Sequence, residues 1–162
     1  IGFPSSGLHT NGFSLVRKVF STEENPSILF QHFDELGHSL GEEMLIRHRS
    51  YYPMLEPVLS LCKGLCHVTG GGLPGKVPSI IPDNVTAEFN VGAWIVPAIF
   101  QLIQDVGHVA PEEMHRVFNM GLGMVAVTDQ ESVATILDTI PDAQVIGSIV
   151  PMTDENQVRL IY

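Results

Sequence analysis

The chain has 162 residues, 44% hydrophobic and 16% charged, a balance that suits one packed domain and excludes a disordered or low-complexity chain. Its 18 acidic residues outnumber 8 basic ones, for a formal net charge of −10, which argues against a nucleic-acid binder but leaves room for a phosphorylated small molecule held by a few local donors. No apolar run reaches the ~20 residues of a membrane span, and no charged-then-apolar leader opens the chain, so a cytoplasmic protein is expected.

Residues 1–5 read as a strand end, followed by the small-residue loop Ser5-Ser6-Gly7-Leu8-His9-Thr10-Asn11-Gly12. Asn11 is expected to N-cap a helix that carries Leu15, Val16, Val19 and Phe20 on one face. That places Ser6, Gly7, His9 and Asn11 at a helix N-terminus, where free N–H groups favour an anion. His9 adds a side chain whose ordinary pKa lies near neutrality. Residues 21–50 suggest a short helix flanked by loops. His32 and His38 lack a partner at ligand spacing and no His-Glu-x-x-His occurs, so no metal site is expected. Arg47-His48-Arg49, the one basic knot, reads either as a solvated loop or as a clamp for phosphate or carboxylate.

Pro53 opens a predicted helix to about Lys63, with Leu55, Val58, Leu59 and Cys62 on one face; Gly64 ends it, and Leu65 to Val68 form a strand. Cys62 and Cys66, spaced i, i+4, match neither a CxxC pair nor a zinc half-site, and read as buried reduced thiols. Thr69 and the run Gly70-Gly71-Gly72 follow the carboxyl end of that strand. Glycines there leave backbone N–H groups uncovered for an anion to approach. Pro74, Pro78 and Pro82 predict an irregular stretch over 74–82.

Val85 to Phe89 alternate as a strand, and Trp94 reads as a core or interface anchor. Pro97 starts a helix expected to bury Ile99, Phe100, Leu102, Ile103 and Val106 and to end near Gly107. A shorter helix opens at Pro111-Glu112-Glu113 and stops at Phe118-Asn119-Met120-Gly121, where Asn119 is a candidate C-cap; the strand Met124 to Val127 follows. Thr128-Asp129-Gln130-Glu131 reads as a capping box for a helix facing Val133, Ile136, Leu137 and Ile140 inward. Strands near 144–150 and 157–162, joined by Asp154-Glu155-Asn156, read as a hairpin. With neither a steady βαβ repeat nor a GxGxxG fingerprint, the order fits an α+β fold with a mixed sheet covered by helices.

Three stretches then carry a resemblance. Ser5 to Arg17 (SSGLHTNGFSLVR), His67 to Leu73 (HVTGGGL) and Glu113 to Met124 (EMHRVFNMGLGM) closely resemble the hallmark stretches of the aminoimidazole ribonucleotide synthetase (phosphoribosylformylglycinamidine cyclo-ligase) family, in the same order. The resemblance is to the C-terminal portion. It implies a three-layer α/β/α domain with partial ferredoxin-like topology over residues 13–162, preceded by an inter-domain active-site loop at 1–12, with the N-terminal ATP-binding domain absent and the chain inactive alone. It implies an ATP- and Mg2+-dependent enzyme of de novo purine biosynthesis that is a homodimer at full length. ATP activates the formyl amide oxygen of formylglycinamidine ribonucleotide, and the amidine nitrogen displaces phosphate to give aminoimidazole ribonucleotide.

The resemblance further implies site roles. His9 is the expected catalytic residue, handling a proton or polarising phosphate. Ser6, Gly7, Asn11 and Gly12 would shape an oxyanion pocket. His67, Thr69, Gly70, Gly71 and Gly72 would bind substrate or phosphate, with Asn119 of the third stretch beside them. Glu113 and Arg116 match that stretch too, at a spacing that serves packing equally well. Arg49 and Tyr51, which would help to hold substrate, fall in a family stretch usually written Pro-Thr-Arg-x-Tyr, from which Arg47 and His48 depart. Two other readings stay open: a non-catalytic phosphoribosyl-ligand-binding or regulatory domain, and a related ATP-dependent enzyme such as formylglycinamidine ribonucleotide synthetase, thiamine-phosphate kinase, selenophosphate synthetase or a hydrogenase maturation factor.

Overall fold

A computed structural model describes residues 1–162 and shows an α+β fold. Its central sheet is antiparallel, in the order β1 (Gly2–Pro4), β6 (Leu122–Thr128), β4 (Cys62–His67). Phe3 and His67 both pair with Met124, so the first loop and the glycine run leave the sheet side by side. A second sheet, order β7 (Gly147–Pro151), β5 (Val85–Asn90), β8 (Val158–Ile161), is mixed, and β2 (His32–Phe33) pairs with β3 (His38–Ser39) as a small hairpin.

Alternation along β6 covers both faces of the central sheet, as a period of two requires. Ala126 joins Phe3, Tyr51, Leu55, Val58, Ile136 and Ile140 on one side, under α3 (Tyr52–Leu55) and α7 (Gln130–Thr139). Val125, and Leu122 turned to the same side by the register shift at Gly123, join Val68, Leu73, Phe89, Trp94 and Ile146 on the other, toward the second sheet and α4 (Gly72–Lys76). A third core gathers Leu8, Val16, Leu40, Phe100, Ile103, Met114 and Phe118 from α1 (Phe13–Val19), α2 (Leu40–Met44), α5 (Ala98–Gly107) and α6 (Pro111–Val117). No helix is long and apolar enough to cross a membrane.

The proline-started helices α5 and α6 lie where the sequence places them, and Trp94 is buried, donating Nε1–H to Met120 O at 2.9 Å. Several expectations are corrected. Asn11 does not cap α1; Gly12 occupies the cap position in the left-handed region, and Asn11 Nδ2 donates to Val117 O at 2.6 Å instead. The helix expected over 53–63 breaks after Leu55 because Pro57 lacks an N–H and collides with the preceding turn; the chain continues as a 3-10 helix over Glu56–Leu61. β4 therefore begins at Cys62, and Gly64 lies inside it, where a Cβ would stand 2.7 Å from Ile80 O. Of the two thiols, Cys66 is buried and Cys62 only partly so; both are free.

Residues 72–80 are helical, not irregular: Pro74 sits in the first turn of α4, where its missing N–H costs nothing, and a 3-10 turn follows over Val77–Ile80. Val106 is exposed. Thr128 ends β6 and donates its hydroxyl to Leu61 O at 2.7 Å, leaving α7 to start at Asp129 without a side-chain cap. β7 and β8 do not pair with each other. β5 lies between them, antiparallel to β7 and parallel to β8, and Arg159, paired with Glu88 of β5, fixes β8 on the far edge. In the 21–50 segment α2 is held by a true capping box, Ser39 with Glu42.

Candidate active site: a histidine cleft

Four segments separated in sequence meet at one end of the central sheet. Ser5 N–H donates to Gly121 O (2.8 Å) and Val68 N–H to Gly123 O (2.9 Å), tying the first loop and the end of β4 to the start of β6. Asn119, fully buried, donates Nδ2–H to Gly7 O (2.8 Å) while its Oδ1 accepts Gly121 N–H (2.8 Å). Asn119 is thus a bridge between two motif loops rather than a helix cap. Ser6 Oγ donates to Arg47 O (3.0 Å) and accepts Arg49 N–H (3.2 Å), which draws the basic loop onto the first.

His9, His48, His67 and Tyr51 come together at this junction. The His9 ring centroid lies 4.0 Å from that of His48 and 6.0 Å from those of Tyr51 and His67. The His48 and His67 rings stack, 4.9 Å apart with planes 8° from parallel. His9 is buried, with φ at 55°, a left-handed backbone that a β-substituted residue adopts only when its surroundings hold it there. Tyr51 donates its hydroxyl to Pro4 O at 2.8 Å, and burial pushes its pKa up to about 12, so it stays protonated.

The hydrogen bonds fix the tautomer of His9. Ser6 N–H donates to His9 Nε2 at 3.1 Å, so the lone pair is on Nε2 and the proton of the neutral ring is on Nδ1. Burial, then the neighbouring His48, His67 and Arg49, push the His9 pKa down to about 4. His9 is therefore neutral at pH 7. Its Nδ1–H is buried without a protein partner, and so is His67 Nε2. Burial, His48 and Lys76 also hold His67 below the usual imidazole range. Unsatisfied buried polar groups of this kind call for a ligand, because each costs about 1–3 kcal/mol when left unpaired.

The other expected residues divide. Gly71 N–H donates to Arg116 O and Gly72 N–H to Thr69 O, both at 2.9 Å. Those two donors are spent within the protein, and only the exposed Gly70 and the partly buried Thr69 remain on the open side of the run. Gly72 is required by packing: φ is 59°, and a Cβ there would collide with His115 O. Gly12 packs its bare Cα on the Phe118 ring, and Gly7 lies over Glu43 Oε1. Asn11 Oδ1 is buried and unpartnered. The Arg49 guanidinium is engaged by the protein, with Pro4 O at 3.4 Å, Asp142 at 3.7 Å and the Tyr51 ring beneath it at 5.7 Å. Arg116 is locked on Glu113 of its own helix at 2.6 Å.

Two residues escaped the sequence reading. The sequence leaves His48 between a solvated loop and a clamp, and only the fold shows that it faces two other imidazoles. Buried Glu43, bonded to His38 at 2.7 Å, gave no signal beyond the Ser39-x-x-Glu42 box next to it. The sole group of three or more ligating side chains is His9, His48 and His67, each offering an atom within 4.8 Å of the others. An apolar groove between the sheets, lined by Val77, Phe89, Val125 and Ile146, contains none of the site residues.

The family model described as AIR synthase related protein, C-terminal domain, matches residues 1–158. A phosphoribosylformylglycinamidine cyclo-ligase of Caldicellulosiruptor bescii is 44% identical over 158 residues, covering 92% of this chain and 46% of the relative. Proteins of the same name from Desulfotalea psychrophila and Enterococcus faecalis are 40% and 41% identical, covering 99% and 93% of this chain and 46% and 45% of theirs. The chain thus spans about half the length of the curated relatives it matches. On this match, and on the three motif stretches that the fold brings into one cleft, the chain belongs to the family of AIR synthase related proteins as their C-terminal domain.

Proposed function

We propose that this chain is the C-terminal part of an ATP-dependent cyclo-ligase that closes the imidazole ring of formylglycinamidine ribonucleotide, giving aminoimidazole ribonucleotide, ADP and phosphate. The observation that carries the reading is the buried, unpartnered Nδ1–H of His9, held by Ser6 and Tyr51 in a cleft made from the stretches the family shares.

In this role His9 acts as a neutral donor. Its Nδ1–H points a proton at an oxygen that gains negative charge, the formyl amide oxygen or an oxygen of the departing phosphate. A preorganised donor in a dry pocket stabilises such charge without reorganising. The Ser6 N–H keeps the ring in this tautomer, and the Tyr51 ring packs edge-on beside it. His67 Nε2, Thr69 and Gly70 supply further polar atoms to the same substrate, and the Ser6 to Gly12 loop forms the wall behind it. Gly71, Gly72 and Asn119 act by holding the loops at their close approach.

ATP and Mg2+ belong to the proposed reaction, but the residues in this cleft do not fit them. Mg2+ takes oxygen ligands, whereas the convergent groups are imidazoles; Glu43 and Asp142 are engaged by His38 and Arg49. No step through the nucleotide or its metal is assigned to these residues. The same reading makes residues 1–12 an inter-domain loop and 13–162 one domain. It also carries a three-layer α/β/α arrangement, which α7 over one face of the central sheet supports, together with a homodimer in the cytoplasm.

Titrating the chain with formylglycinamidine ribonucleotide while following the histidine ring signals by NMR tests the proposal. The His9 and His67 signals are expected to shift together and saturate. No shift, or shifts confined to His32, His38 and His108, overturns it.

A further inference from the structure

We propose that His9, His48 and His67 form a binding site for a divalent transition-metal ion of the zinc type. Three observations converge on it. One nitrogen of each ring lies within 4.8 Å of the others. Two of the rings carry a buried nitrogen that no protein atom satisfies, His9 Nδ1 and His67 Nε2. The third ring, His48, is exposed on a loop and stacks on His67, so it is free to move.

The donor set selects the ion. Neutral imidazoles suit Zn2+, Co2+ or Ni2+ and not Mg2+ or Ca2+, which take oxygen. Three protein ligands leave the fourth position of a tetrahedral ion open. Zinc–nitrogen bonds of about 2.0–2.1 Å put ligand nitrogens roughly 3.3 Å apart, so the cluster closes by ~1.5 Å on binding. His48 supplies that movement, since its side chain is exposed, while β4 holds His67 and the first loop holds His9.

Binding also moves one proton. His9 offers Nδ1 only if the ring proton shifts to Nε2, where the Tyr51 oxygen, 3.4 Å away, accepts it. The Ser6 N–H bond to Nε2 is then lost, which loosens the first loop. An ion here takes the atom that the proposed function gives to substrate, so it excludes substrate. That exclusion rests on the functional reading; the metal site does not.

Co2+ added to the purified, metal-free chain tests the proposal, read by its visible absorption and by paramagnetic shifts of the imidazole protons. We expect one equivalent to bind with the intense absorption of a four-coordinate ion and to shift three rings, those of His9, His48 and His67. His48→Ala, at an exposed position, is expected to leave the metal-free Tm unchanged and to weaken binding at least about tenfold. His48→Cys, which restores a ligand, is expected to recover it. Absence of binding overturns the proposal, as does binding that His48→Ala and His67→Gln leave unchanged.

Discussion

At His9 two features of one side chain fit together: a left-handed backbone that needs support, and a ring whose two nitrogens have different environments. The support comes from Ser6 N–H, Tyr51 and the bare Cα of Gly123, where a Cβ would collide with the Tyr51 hydroxyl and stand 2.7 Å from His9 Cε1. Gly123→Ala is therefore expected to destabilise the fold by about 1–3 kcal/mol, measured by urea unfolding, and to abolish the substrate-induced shift of His9. An unchanged midpoint contradicts the packing account. The His9 pKa also predicts acid sensitivity in metal-free buffer. Its folded value of about 4 lies below the ordinary 6.5, so between these values the unfolded chain binds more protons. The stabilisation is complete above pH 6.5 and declines as pH falls toward 4, by about 1–2 kcal/mol after allowance for water at the cleft mouth. Unfolding free energies of wild type minus His9→Gln, compared at pH 7 and pH 4.5, should show that decline; a constant difference rules it out. His9 and His67 were legible because each sits in a run of small residues. His48 was not, since its neighbours come from distant parts of the chain.

Among the elements, those whose boundaries are set by local chemistry were readable. Prolines at the start of α5 and α6 and the period-two pattern of β5 gave these elements to within a few residues. What failed depended on partners elsewhere. Thr128 looked like a cap until Leu61 O claimed its hydroxyl, and β7 with β8 looked like a hairpin until β5 was found between them. Pro57 is the exception, a local signal that marks the break in the 53–63 helix. The glycine run was legible as a close-approach element, and Gly71 and Gly72 make that approach to the carbonyl ends of α6. Asn119 joins these elements. Asn119→Ala leaves Gly7 O and Gly121 N–H without partners in the interior, and is expected to cost about 2–4 kcal/mol. Urea unfolding measures it, and a loss under about 0.5 kcal/mol would mean that relaxation or water replaces both bonds.

For the whole molecule, the α+β class followed from the order of elements, whereas the split into two three-stranded sheets did not, because strand pairing at long range leaves no periodic trace. The sheets leave their polar loops at one end, and the cleft there is complete on the side this chain builds: donors, a fixed tautomer and a packed wall. His9 is proposed to polarise an oxygen there in a cyclo-ligase. This role is tested most directly in a chimera that joins this chain to the part of the Caldicellulosiruptor bescii relative it does not match, assayed for aminoimidazole ribonucleotide with ATP present. Product formation by the chimera is expected, with a kcat lower by about 10²–10⁴-fold in its His9→Ala variant and Tm within a few degrees. A folded chimera that makes no product, or one whose rate His9→Ala leaves unchanged, contradicts it.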